Sequence, residues 1–386
     1  MNSCFSTFSF PTTTVFGAGS LTELPSRLEG IGIKRPMIVT DSGLLDTQAF
    51  ALLQQALGVE RRGKDWSLFS GVHPNPIEQD VIQAAATFRK EQCDGIIAFG
   101  GGSALDVGKA TRLLIKRPEL QISRFDYKED WTDLAPCICI PTTAGTGSEI
   151  GRSSVITIEA TQRKAVLFHP ELLAKLVILD PELTRLLPPK LTAATGADAL
   201  IHCIESFTSP VFHPLCDGIA LEGVHLIVEA LPRAFRNGND IDARGKMLVA
   251  AAMGAVAFQK DLGATHSLAH PLSTICGMHH GTANALCLPF VMRFNAERKP
   301  GLYRRVGLAS GLDVLKCSDT EADALTINFI SKFMIDLELR PGLRAYGVKE
   351  SNIEALTEQA IQDSCHQTNP VPVTAADLKS LYGSAL

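Results

Sequence analysis

The chain has 386 residues, 45% hydrophobic and 20% charged, which is the balance of a globular protein with room for a sizeable core and two domains. A formal net charge of −5 argues against a general nucleic-acid binder, and no uncharged apolar run reaches the roughly eighteen residues needed to span a membrane. The opening Met1-Asn2-Ser3-Cys4-Phe5 lacks the pattern of a secretory signal, and the ten cysteines include no close CxxC pair, so reduced thiols in a cytoplasmic protein are expected.

In the first half, short apolar runs alternate with helix-like periodicity. Pro36 to Asp41 reads as a buried strand with a loop at its carboxyl end, and a helix is predicted from about Thr47 to Leu57. Gly95 to Phe99 is a second strand, followed by Gly100-Gly101-Gly102-Ser103 and a helix over about 104–115. Cys137 to Ile140 is a third, ending in Pro141-Thr142-Thr143. Repetition of strand, loop and helix implies an α/β domain with a mainly parallel sheet. From about Ala193 onward the periodicity is helical: 197–207, 217–231, 247–258, 322–337 and 351–362 all follow it. Two domains are expected, an α/β dinucleotide-binding domain over 1–185 and an all-helical metal-binding and catalytic domain over 186–386, with the active site in a cleft between them.

Gly100-Gly101-Gly102-Ser103 follows a strand and opens a helix, where bare backbone and free N–H groups suit a pyrophosphate. Asp106 and Lys109 lie in the first turns of that helix. The run departs from GxGxxG, and Gly17-Ala18-Gly19 reads as an ordinary turn because no suitable strand precedes it. Thr142, Thr143 and Ser148 sit in a second hydroxyl- and glycine-rich loop after a strand, suited to ribose or phosphate oxygens. Asp41, just after a strand, can accept hydrogen bonds from a ribose and repel a 2′-phosphate, which favours NAD over NADP; it can equally cap a helix.

The second half carries a metal-ligand pattern. Asp198 and His202 are four apart, as are His266 and His270, so each pair shares a helix face. Pro271, Ser273 and Gly277 imply a helix break before His279 and His280, letting the chain fold back toward the earlier pair. One carboxylate and three imidazoles suit Fe2+ or Zn2+, and a Lewis acid is what hydride transfer to a carbonyl requires. Spacing alone does not select among His266, His270, His279 and His280. Glu205 continues the Asp198/His202 face, where it either orients a ligand or forms a surface salt bridge.

Taken together, Phe16 to Gly19, Thr40-Asp41, Pro74-Asn75-Pro76, the glycine run with Asp106 and Lys109, Pro141 to Glu149, Gly196 to Glu205 and the histidine block through Gly281 resemble the iron-containing, or group III, alcohol dehydrogenases over nearly the full length. The resemblance implies a dehydroquinate-synthase-like two-domain architecture. It implies Asp198, His202, His266 and His280 as metal ligands and His270 as an active-site histidine that does not ligate. Asp41, Gly101, Gly102, Ser103, Asp106, Thr142, Thr143 and Ser148 match cofactor-contacting positions, and Ser153, Val155 and Phe258 match pocket-lining ones. Two departures stand out: His279 replaces a common proline, where it can compete as a ligand or contact substrate, and Val371 replaces a common arginine.

The function expected is NAD(P)(H)-linked interconversion of a small alcohol with an aldehyde or ketone, by a homodimer or larger homo-oligomer with no nucleic-acid or membrane partner. Lys260, beside Phe258, is a candidate for recognising an anionic group on the substrate. A hydroxyacid-oxoacid transhydrogenase, a related non-redox lyase and a non-enzymatic metal-binding scaffold are the alternatives.

Overall fold

A computed structural model describes residues 12–58, 63–161 and 163–386; Met1–Phe5, read above for a targeting signal, lies outside them. The chain separates into two compact units, one of residues 12–187 with 238–248, the other of 188–237 with 249–386.

The first unit contains β1 (Thr13–Phe16), α1 (Leu24–Ile31), β2 (Pro36–Val39), α2 (Gln48–Leu57), β3 (Ser67–Phe69), α3 (Glu78–Lys90), β4 (Gly95–Gly100), α4 (Gly102–Lys116), β5 (Cys137–Pro141), β6 (Ser153–Ile158), β7 (Arg163–Phe168) and β8 (Leu176–Leu179). Six strands pair in parallel in the order β1-β8-β5-β4-β2-β3, while β6 and β7 form a separate antiparallel hairpin. Every residue of β2, β4, β5 and β8 is buried, as continuous apolar runs must be when both faces of a parallel sheet are covered. Thr47 caps α2, its hydroxyl accepting from the Phe50 amide at 3.3 Å. The hairpin and the strands β1, β3 and β8 were not anticipated; β1 and β3 are short, and half of the residues of β7 are exposed.

Residues 238–248, expected to belong to the helical half, pack in the α/β unit. The cause is Arg244, a buried guanidinium that donates to the carbonyls of Gly238 (3.3 Å), Arg185 (3.4 Å) and Leu187 (3.2 Å). These bonds tie the segment to the end of the α/β chain.

The second unit contains α5 (Pro189–Thr208), α6 (Pro214–Arg236), the later part of α7 (Ile241–Ala257), α8 (Ala264–Cys276), α9 (His280–Arg298), α10 (Arg304–Ala309), α11 (Asp319–Asp336), α12 (Ile353–Ala360) and α13 (Ala375–Ala385). It has no strand among its described residues. Its core is built from the apolar faces of α8, α9, α12 and α13, including Leu268, Leu272, Leu286, Val291, Leu356, Leu378 and Val371, the residue standing where an arginine was expected. No single helix among the described residues is long and apolar enough to cross a membrane; one pair, Ile241–Lys260 with Ala264–Cys276, passes that test only jointly and is bent by 111°.

The break before His280 is at Gly277 and not at Pro271 or Ser273. Helix α8 runs through both residues and ends where Gly277 takes a left-handed C-cap (φ 66°). The Met278 amide then bonds to Leu272 O at 3.2 Å, and α9 starts two residues later. Beside that start, α9 meets α5 with almost no room: a Cβ on Gly281 would stand 2.0 Å from Ala194 O and 3.3 Å from the Asp198 Cβ. A rigid backbone carbonyl cannot yield as a flexible side chain does. Gly281→Ala is therefore expected to force the two helices apart and destabilise the protein by about 1–3 kcal/mol or more. Thermal unfolding checks this, and an unchanged Tm would contradict the close approach.

Candidate metal centre and cofactor loops

Helix α5 places Asp198, His202 and Glu205 on one buried face, α8 brings His266 and His270, and α9 brings His280 at its first residue. Asp198, His202 and His266 each offer a ligand atom, all within 4.8 Å of one another. Asp198 Oδ1 lies 3.8 Å from His266 Nε2 and 3.6 Å from His280 Nε2. Ligand bonds of about 2.1 Å around a tetrahedral ion put neighbouring donors roughly 3.4 Å apart. The spacing therefore fits one divalent cation. Asn284, one turn beyond His280, shows the same convergence: its Nδ2 is 2.7 Å from Asp198 Oδ1 and 3.2 Å from both His266 Nε2 and His280 Nε2.

Glu205 orients the set from behind. Its Oε2 is 2.6 Å from His266 Nδ1, and its two oxygens also accept from the amides of Gly263 (3.0 Å) and Thr265 (2.7 Å). A carboxylate accepts, so Nδ1 carries the hydrogen and Nε2 presents its lone pair to the Asp198 side. Burial alone would raise the Glu205 pKa, but the hydrogen bond and charge of His266 and the Thr265 amide outweigh it and hold the group below its ordinary value. The surface salt-bridge alternative does not apply, because Glu205 is buried.

His270 stacks on His280, with centroids 5.2 Å apart and planes within 14°, and its Nδ1 is 2.7 Å from Asp363 Oδ2. Phe258 packs against His202 at 5.3 Å between centroids. His279 is exposed and forms the N-cap of α9. Lys260 is buried and its ammonium donates to the Asp217 carboxylate and, at 3.2 Å, to Phe207 O.

The cofactor-type residues gather in the α/β unit, at the carboxyl ends of β2, β4 and β5, which are adjacent in the sheet. Strand order reverses between β2 and β4, and open α/β sheets bind ligands at such a point. Asp41 follows β2; its Oδ2 is 3.7 Å from where a Cβ on Gly100 would stand. Gly100 takes φ 145°, a torsion other residues rarely adopt, and Gly101 is the N-cap of α4 with no side-chain cap bond, leaving its first amides for an anion. Ser103 Oγ donates to Pro74 O at 2.6 Å. The second loop packs against the first: the Thr142 amide bonds to Gly100 O at 2.9 Å, and the position a Gly101 Cβ would take is 3.6 Å from the Thr143 methyl.

Asp106 and Ser148 are bonded to each other, Oγ to Oδ1 at 2.5 Å, and Asp106 Oδ2 accepts the Val155 amide at 3.0 Å. Buried Lys109 lies 3.4 Å from Asp106 and donates to the carbonyls of Ser148 and Ser153. These two side chains hold the 148–155 loop, including Ser153 and Val155, against α4. Glu149 beside them is buried, and its Oε1 has no hydrogen-bond partner. Burial pushes its pKa up to about 7 against the opposing pull of its own amide and Lys109.

Sequence reasoning missed Asn284 and Asp363. Asn284 was legible as the residue four beyond His280, on the same helix face; Asp363 carries no spacing relation to the histidines it serves.

A parallel-sheet α/β unit with phosphate-type loops, together with a buried carboxylate–imidazole cluster on helices, defines an NAD-linked, metal-dependent oxidoreductase. The comparisons give the same answer: the iron-containing alcohol dehydrogenase pattern matches residues 11–181, the C-terminal pattern of the Fe-containing alcohol dehydrogenase family matches 192–386, and the chain belongs to that family. It is 40% identical to a 4-hydroxybutyrate dehydrogenase of Cupriavidus necator, over 96% of this chain and 97% of that one. A crystal structure of a 1,3-propanediol oxidoreductase superposes with TM-score 0.94 at 31% identity, covering 99% of this chain and all of the other. The NAD+ complex of sulfoacetaldehyde reductase from Bifidobacterium kashiwanohense superposes with TM-score 0.88 at 29% identity, covering 99% of each chain. The chain is thus an enzyme that transfers hydride between a nicotinamide cofactor and a small alcohol or aldehyde, with a divalent metal.

Two measurements test this description. Glu205→Gln keeps a hydrogen-bond acceptor but loses the charge, and should weaken metal binding about 10–100-fold in a chelator competition; unchanged affinity would remove Glu205 from the site. Glu149 has a folded-state pKa above its unfolded value. The stability tied to its protonation is full below about pH 4.5 and is lost as pH rises through about 7. Glu149→Gln should flatten the fall in Tm between pH 6 and 8, whereas parallel Tm curves for variant and wild type would show that the carboxyl does not titrate there.

Proposed function

We propose that the physiological substrate is a short primary hydroxyacid or its aldehyde-acid partner, the alcohol and the carboxylate lying at opposite ends of a flexible chain. The observation that carries this is the 40% identity, across nearly both full lengths, to a 4-hydroxybutyrate dehydrogenase. The relatives that act on methanol and 1,3-propanediol are 33% and 32% identical.

In this reading Asp198, His202, His266 and His280 hold the cation, with Fe2+ the first assignment and Zn2+ the alternative, since nitrogen and carboxylate ligands suit both. A divalent cation held there would supply Lewis acidity toward a substrate oxygen, and a bound nicotinamide would supply the hydride chemistry. The amides at the start of α4 bind the pyrophosphate, and Asp41 accepts from the adenosine ribose, which favours NAD(H). Thr142, Thr143 and Ser148 line the same loops, and Asp106 acts on them by fixing Ser148 and Val155. His270 takes the hydroxyl proton at Nε2 during oxidation and returns it during reduction. Phe258, packed against His202, is assigned to the carbon chain of the substrate.

Lys260 is an unsuitable anion receptor, because its charge is already met by Asp217 in a buried pair. Location in the cytoplasm is supported by the free state of all the described cysteines, and self-association by the exposed apolar Val211, Phe212 and Leu215.

Metal-reconstituted enzyme is expected to show a higher kcat/KM for 4-hydroxybutyrate than for 1-butanol or 1,4-butanediol. Preference for the neutral alcohols would overturn the substrate assignment.

A further inference from the structure

His270 and His266 lie one turn apart on α8, and each has a carboxylate at Nδ1, yet the two carboxylates come from unrelated parts of the chain. Glu205 serves His266 from α5. Asp363 serves His270 from the turn after α12, and nothing in the ligand pattern requires it. Its Oδ2 is 2.7 Å from His270 Nδ1, and its Oδ1 accepts from Ser267 Oγ and from the Cys365 amide, both at 2.9 Å. Ser267 in turn accepts from the His366 amide at 2.8 Å. Ser267 and His270 are three apart on α8, so one carboxylate spans both and clamps the 363–366 turn to the helix face that carries the histidines.

The geometry points to Asp363 as the positioning residue for His270: it sets the Nδ1–H tautomer and the rotation of the ring, so that Nε2 is the nitrogen without the proton. The inference rests on the reading of His270 as the residue that handles the substrate proton. The carboxylate is anchored well enough to do this. Burial would favour its neutral form, but His270, the Cys365 amide and Ser267 hold it well below the usual carboxylate range. The ring is fixed from two directions, by Asp363 along one edge and by His280 stacked within 14° across one face.

His270, Asp363 and Cys365 also bring donor atoms close enough for a cation. Positioning is favoured because both Asp363 oxygens already accept hydrogen bonds, and because a cation on Nδ1 would displace the hydrogen that orders the ring.

The test uses full-length, metal-loaded protein with four substitution patterns: Asp363→Ala, Asp363→Glu, His270→Asn and the Asp363→Ala/His270→Asn double variant. Loss of the carboxylate should lower kcat about 10–100-fold, with KM for the cofactor and metal content per chain unchanged. Asp363→Glu should recover part of that loss. In the His270→Asn background the same Asp363→Ala change should cost less than about twofold, since a residue that acts through another is silent once the other is gone. Histidine-selective 15N NMR on the zinc-loaded protein should show His270 fixed as the Nδ1–H tautomer in the wild type and mixed in Asp363→Ala.

Equal losses in both backgrounds, an unchanged tautomer, or loss of a second metal equivalent with Asp363→Ala would each overturn the inference. A wild type with the fixed tautomer but no hydride transfer would uphold Asp363's positioning of the ring and sink the functional reading instead.

Discussion

A buried carboxylate and three imidazoles within a few ångströms of one another are costly unless something positive lies between them and each ring is held in one tautomer. That requirement organises the helical unit. Asp198 and His202 are fixed by α5, His266 by α8 and His280 by the first residue of α9, so three helices must meet closely at one point. The contact of Gly281 with Ala194 O is where this closeness is most demanding, because any side chain there would separate α9 from α5 beside Asp198. Glu205 and the left-handed Gly277 serve the same end, one by presenting His266 Nε2 and the other by turning the chain so that His280 returns.

The two histidines of α8 share one helix face but differ in their surroundings. His266 is 1% exposed and is backed by a carboxylate that is itself buried. His270 is half-buried, and its carboxylate comes from a turn that also binds the helix through Ser267.

In the α/β unit the organising element is Lys109. A lysine with no exposed surface, donating to backbone carbonyls and paired with Asp106, draws the 148–155 loop onto α4. Asp106 and Ser148, which resembled direct cofactor contacts, are bonded to each other. Gly101, Gly102, Ser103 and Thr143, by contrast, are half-buried. The buried, partly unsatisfied Glu149 is the strained part of this arrangement.

Much of the protein was legible from local order. Continuous apolar runs marked β2, β4 and β5, 3.6-residue periodicity marked helices of the second half, and four-residue spacing placed Asp198 with His202 and His266 with His270. These are properties of a chain and its nearest turns, and the motif order sufficed to indicate the family. The edge strands β1 and β3 were not legible, because they are only four and three residues long and β1 pairs with a strand far along the chain; the β6–β7 hairpin, although its partners are close in sequence, lacks the continuous apolar run that marked the buried strands. Nor was the return of residues 238–248 to the α/β unit, which depends on Arg244 finding carbonyls some sixty residues earlier. By itself the sequence determined which residue types face together along each helix. Only the tertiary structure decided that Lys260 is spent on Asp217, that Glu205 stands behind His266, and that Asp363 meets His270. Contacts across such separations are set by how helices pack in three dimensions, and no local periodicity records them.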